Sequence, residues 1–118
     1  MQLNFEKFNF QLKSNNNGQK LIFDPIRHKH VVLSPEEWVR QHVIHQLIKN
    51  GFPIGRISVE RTLPKTKKRY DLVFYDSLGQ PKLLVECKAP SVPITQKTLT
   101  QVTSYVQHLN SPIILITN

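Results

Sequence analysis

Leu83-Leu84-Val85-Glu86-Cys87-Lys88 is an apolar run that ends on a carboxylate and an ammonium. Such a run reads as a strand, and side chains along a strand alternate between two faces. Glu86 and Lys88 then share one face, and Val85 and Cys87 the other. Charges at the end of an apolar strand cost desolvation unless they are paired or bind something. Just upstream, Asp76-Ser77-Leu78-Gly79 is a turn signal, and residues 69–75 before it read as a second strand. That strand carries Asp71, directly after the basic cluster Lys65, Lys67, Lys68 and Arg69. Across the hairpin, Asp71 is expected on the face that carries Glu86. Two carboxylates held together raise each other's pKa, and a divalent cation relieves the repulsion.

These parts suit phosphodiester hydrolysis. Mg²⁺ takes hard oxygen ligands, often one or two carboxylates with phosphate oxygen and water. It polarises a phosphate and acidifies bound water. Lys88 is placed to orient that water or to stabilise the developing charge. Structural readings stand beside these. Glu86 and Lys88 also read as a surface pair of little energetic worth, and Asp71 as an ordinary strand-edge residue. The basic loop from Lys65 to Arg69 is either a solvated hairpin tip or a surface that positions phosphates. The apolar run and the Asp on the neighbouring strand favour the functional reading.

Further upstream, residues 57–63 read as a first strand of the meander. Before it lies a helix. Ser34 is its expected N-cap, Pro35 its first residue, and Glu37 the third position of a capping box. Trp38, Val39, Val43, Ile44, Leu47 and Ile48 recur at helical spacing, and Asn50-Gly51 ends the helix. Glu37 therefore has two open roles, the reciprocal half of the capping box or a metal ligand, with Glu36 as the alternative acid. Residues 1–20 read as a loosely attached leader, with Phe5, Phe8 and Phe10 available to pin it. Short extended pieces around Asp24-Pro25 suggest a small hairpin. Downstream, a second helix is expected over about 96–109 and a buried strand over 113–117. The domain proper is residues 21–118, of α/β (α+β) class with core order α-β-β-β-α-β. The five histidines, His42 and His45 among them, read as surface or boundary residues rather than a zinc site. Cys87 reads as a small buried hydrophobe. Trp38, Tyr70 and Tyr75 read as core or boundary residues rather than base-stacking platforms.

The whole chain is 118 residues, enough for one modest core. Sixteen Lys and Arg against eight Asp and Glu give a net charge of +8, which favours an anionic partner, nucleic acid first. No stretch approaches the roughly 20 apolar residues of a membrane span. The N-terminus does not read as a secretory leader. A single cysteine excludes an internal disulfide framework. The expected setting is the cytoplasm, with no membrane partner.

Asp71 followed by Glu86-Cys87-Lys88 on the next strand resembles the PD-(D/E)xK nuclease superfamily. Ser34-Pro35-Glu36-Glu37-Trp38-Val39-Arg40-Gln41 precedes it at a suitable distance, and Gln101 with Tyr105 resembles the trailing Q-x-x-x-Y motif. Together they resemble the N-terminal nuclease domain of type I restriction enzyme R subunits, from about residue 22 to 118. The resemblance implies a restriction-endonuclease-like central mixed sheet flanked by helices, and Mg²⁺- or Mn²⁺-dependent cleavage of DNA. It implies Asp71, Glu86 and Glu37 as metal ligands and Lys88 as the catalytic lysine. Gln101 and Tyr105 are implied to help place DNA or the active site. A homodimer or further subunits are implied partners. The chain carries no motor module and stops where a further strand or helix is expected, so it reads as a trimmed or stand-alone relative. A catalytically silent basic DNA-binding module, or a structural subunit of a larger nuclease assembly, is the alternative.

Overall fold

The computed structural model describes residues 7–63 and 69–87 in full and the backbone of residues 113–117. The chain opens with an antiparallel meander of β1 (Leu12–Ser14), β2 (Lys20–Asp24) and β3 (Lys29–Val32). Its turns are made by short polar side chains. Asn15 Oδ1 accepts the backbone N–H groups of Asn17 and Gln19 at 2.9 and 3.0 Å. Asp24 Oδ1 accepts those of Ile26 and Arg27 at 2.7 and 3.0 Å, which closes the turn after β2. The hairpin expected around Asp24-Pro25 is therefore present. A third strand joins it: residues 12–14, read from sequence as part of a leader, pair in register with β2. Gln11, Leu12, Lys13 and Ser14 are exposed, so no alternating burial pattern announced this strand.

Helix α1 (Pro35–Lys49) begins and ends on the expected signals. Ser34 Oγ accepts the Glu37 N–H at 3.0 Å. At the other end Phe52 N–H reaches Leu47 O and Gly51 N–H reaches Ile48 O, each at 3.0 Å, with Gly51 at φ +94°. This double closure needs the left-handed residue that glycine supplies.

A 3-10 turn over Ile54–Arg56 leads into β4 (Ile57–Thr62), then β5 (Arg69–Tyr75) and β6 (Pro81–Cys87), all antiparallel. The last strand, β7 (Ile113–Thr117), lies parallel to β6, so the described sheet has the order β4-β5-β6-β7 and is mixed. Strand alternation explains the core. Leu72 and Phe74 of β5 and Leu83 and Val85 of β6 meet Val43, Ile44 and Leu47 of α1, with Phe52 and Ile57 completing the cluster. Phe52 and Phe74 stack at 4.1 Å between ring centres. The intervening residues Val73 and Leu84 join Leu63 and Tyr70 in a second cluster. The middle of the sheet is thus buried on both faces, as its nearly continuous apolar runs require. The second helix expected over 96–109 lies outside the described residues. Among those residues, no helix is long and apolar enough to cross a membrane.

Candidate active site

The site lies where the β5–β6 ladder gives way to side chains. Backbone pairing of the two strands runs from the turn up to Leu72↔Val85. Continued one step further, that register leads to Asp71 and Glu86. There the Asp71 carboxylate enters the ladder itself: the backbone N–H of Cys87 donates to Asp71 Oδ2 at 2.6 Å. The second oxygen, Oδ1, accepts from Arg40 Nη2 of α1 at 3.2 Å. Glu86 of β6 is buried, at 8 % exposure. On the other side of Asp71, β4 pairs with β5 at Val59↔Leu72 and Arg61↔Tyr70, which brackets Glu60 against Asp71. Glu60 and Asp71 are joined through Arg40, which reaches both carboxylates.

Helix α1 supplies the fourth carboxylate. Glu36 is exposed and Glu37 is buried, so Glu37 is the acid that turns inward. Its backbone N–H is capped by Ser34, but its carboxylate serves other partners. Glu37 Oε1 accepts from Arg27 Nη2 at 2.8 Å and lies 3.5 Å from Arg40 Nη1, while Oε2 accepts from Gln41 Nε2 at 3.1 Å.

Arg40 is the hub of this arrangement. The residue is only 5 % exposed. Its guanidinium reaches Glu37 on its own helix, Glu60 on β4 at 3.3 Å and Asp71 on β5 at 3.2 Å. A buried cation is tolerated only when it is paired and hydrogen-bonded, and three carboxylates from three elements do this here. The network extends outward through Arg27, whose Nε lies 2.6 Å from the fully buried Asp24 Oδ2. Burial opposes the charge on Arg27, yet its bonds to Glu37 and Asp24 outweigh this and hold its pKa above the usual value. At the rim, Arg69 Nη2 lies 2.6 Å from Glu60 Oε2. Partial burial would raise the Glu60 pKa, but the Arg69 and Arg40 guanidinium groups override it and hold the carboxyl below its ordinary range. Glu60 also has φ +54° within its strand. A non-glycine residue there is strained, and the two arginine contacts hold it in place.

Of the residues singled out from sequence, Glu37, Asp71 and Glu86 stand at this junction. Arg69 begins β5 and turns to Glu60. Lys65, Lys67, Lys68, Lys88, Gln101 and Tyr105 lie outside the described residues. Cys87 is buried, and desolvation, with the nearby Asp71 charge, pushes its thiol up to about 12. It is therefore a neutral thiol and not an activated nucleophile. His42 and His45 turn their Nδ1 atoms to the carbonyls of Trp38 and Gln41, each at 2.8 Å, and pack against Phe8 and Phe10. Among the described residues, no three His, Cys, Asp or Glu side chains form a ready metal-ligand group. Sequence reasoning missed Arg40 and Glu60. Arg40 carried a signal: it follows Glu37 by three and precedes Val43 and Ile44 by three and four, so it is a charge on the buried stripe of the helix. Glu60 carried none, because an acid in an exposed strand position is ordinary.

Residues 35–118 match the family described as Type I restriction enzyme R protein N terminus. The chain belongs to this family. No curated protein and no solved structure matches it. The match begins at the first residue of α1 and takes in every strand of the mixed sheet, so Glu37, Arg40, Glu60, Asp71 and Glu86 all lie within it. As a member of the R protein family, the chain has a restriction-enzyme-related role.

Proposed function

We propose that this R-protein N-terminal chain is a PD-(D/E)xK nuclease of the restriction-endonuclease-like fold, which hydrolyses DNA phosphodiester bonds with a divalent cation, Mg²⁺ or Mn²⁺. The observation that carries the reading is the register. Leu72 pairs with Val85, and one further step of that register leads to Asp71 and Glu86, with Lys88 two residues later in the sequence. The donor chemistry is that of a hard cation, since carboxylates are all-oxygen ligands, and two of the proposed ligands, Glu37 and Asp71, both reach the positive Arg40. Asp71 and Glu86 would hold the cation, with Glu37 as the third acid. When bound, it would polarise the scissile phosphate and acidify the attacking water. The protein's own groups do the rest. The Cys87 amide fixes one oxygen of Asp71 and Arg40 the other. Lys88 orients the water or meets the charge that develops on phosphorus. Lys65, Lys67, Lys68 and Arg69 take the DNA backbone, and Gln101 and Tyr105 help place the strand. The net charge of +8 draws the polyanion to this surface. Further R-enzyme subunits, or a second copy, are the proposed partners.

The test is cleavage of plasmid DNA with Mg²⁺ or Mn²⁺ by the wild-type chain and by Lys88→Ala and Asp71→Asn. Calorimetric metal titration is run on the same samples. Cleavage in the wild type alone, with metal binding lost in Asp71→Asn but kept in Lys88→Ala, is the expected result. Undiminished cleavage by Lys88→Ala would rule out the assigned chemistry. A second reading, a silent basic DNA-binding module or structural subunit, is favoured by one observation: the described acids form no ready metal-ligand group. It requires salt-dependent DNA binding that is indifferent to both metal and Asp71.

A further inference from the structure

Arg27 reaches the acid of helix α1 from outside the part of the chain that matches the family. Its Nη2 donates to Glu37 Oε1 at 2.8 Å, whereas the family match begins at residue 35. We infer that Arg27 is a positioning residue, which fixes the direction of the Glu37 carboxylate and makes the turn after β2 a working part of the site. What Glu37 does in DNA cleavage rests on the nuclease reading above. How Glu37 is held does not.

Three observations carry the inference. First, Arg27 is itself fixed. Its Nε donates to Asp24 Oδ2 at 2.6 Å, and Asp24 Oδ1 accepts the backbone N–H groups of Ile26 and Arg27. Asp24 is fully buried, so acid, turn and guanidinium form one unit. A planar guanidinium sets direction as well as distance in its charge-assisted bonds. Second, two elements divide the Glu37 carboxylate between them. Arg27 holds Oε1 from the turn, and Gln41 Nε2 holds Oε2 from the helix at 3.1 Å. Third, distance separates the two arginines near Glu37. Arg40 Nη1 lies 3.5 Å from Oε1, against 2.8 Å for Arg27, and Arg40 also serves Glu60 and Asp71. With Arg27 removed, Oε1 is left among the described residues with the longer contact to a shared cation. The carboxylate then turns toward Arg40, and its hydrogen bond from Gln41 changes with it.

The test uses the full chain labelled with ¹⁵N, as wild type, Arg27→Gln and Arg27→Lys. The Gln41 side-chain amide reports the Glu37 carboxylate. The Gln46 side-chain amide, bonded to Asn50 Oδ1 near the other end of α1, is the control. In Arg27→Gln the Gln41 signal should move and the Gln46 signal should stay. Cleavage of plasmid DNA with Mg²⁺ should lose about 10- to 100-fold in kcat at unchanged KM. Arg27→Lys keeps the charge without the fork, and should recover part of both effects. A Gln41 signal that stays fixed in folded Arg27→Gln would overturn the inference. So would equal movement of Gln41 and Gln46, which marks a general loosening of the helix, or an unchanged kcat where the wild type cleaves. If the wild type does not cleave, the nuclease reading falls, and the Gln41 signal still decides whether Arg27 positions Glu37. If Arg27→Gln does not fold, Arg27→Lys carries the same readings.

Discussion

Asp71 does two jobs in the folded chain, and two substitutions separate them. Asp71→Asn keeps an oxygen for the Cys87 N–H but removes the charge from Arg40. Asp71→Ala removes both. The pair with Arg40 spans 3.2 Å between side chains that are 6 % and 20 % exposed. Breaking a fully buried pair costs roughly 3–5 kcal/mol when the partner is left unpaired. Arg40 retains Glu37 and Glu60, so the loss here should be about 1–2 kcal/mol. The Cys87 amide belongs to a buried residue, and an unmet buried donor costs about 1–3 kcal/mol more. The expected order is wild type, then Asp71→Asn lower by about 1–2 kcal/mol, then Asp71→Ala lower by about 2–5 kcal/mol in total. Urea unfolding in metal-free buffer, followed by circular dichroism, measures each value. A double-mutant cycle with Arg40→Met isolates the pair and should return a coupling of about 1 kcal/mol. Equal stability of the Asn and Ala variants would refute the role given to the Cys87 amide. Additivity of the Asp71 and Arg40 changes within about 0.3 kcal/mol would refute the pair.

Leu47→Ala removes a buried side chain between α1 and the mixed sheet, and should cost about 2–5 kcal/mol by urea unfolding. DNA binding by the wild type should weaken steeply between 50 and 200 mM salt, and replacing Lys67 and Lys68 by Gln should flatten the slope by about one to two counterions, read by fluorescence anisotropy. Burial pushes the His42 pKa below the ordinary value, against the Trp38 carbonyl bond and with His45 adding to the shift. A lowered histidine pKa leaves stability complete above about pH 6.5 and erodes it as pH falls from there through the folded-state value. The melting temperature should therefore drop between pH 7 and pH 5, and less so in His42→Gln. With its thiol at about 12, Cys87 should resist thiol reagents at pH 8 in the native chain and react once urea unfolds it.

Local chemistry made much of this molecule legible. Ser34, Pro35 and Asn50-Gly51 delimit α1 because caps satisfy helix-end groups with nearby side chains and backbone. The turn at Asp76 and the apolar runs around it delimit β5 and β6 for the same kind of reason. The hairpin turn alone does not match Asp71 to Glu86: a bulge between Phe74 and Tyr75 shifts the register by one residue, and only beyond it does the pairing run on toward Asp71 and Glu86. β1 escaped notice because its residues are exposed, so pairing with β2 rather than burial makes the strand.

What only the tertiary structure decided is which charges meet. Glu36 and Glu37 are adjacent and alike in sequence. One is exposed and the other buried, because the helix docks with a particular rotation on Leu72, Phe74, Leu83 and Val85. That rotation also carries Arg40 to Asp71, 31 positions along the chain, and to Glu60, 20 positions along. Sequence spacing cannot contain such contacts, because they depend on how a helix lies across a sheet. The acids that surround Arg40 come from three elements, and only packing brings them to one cation.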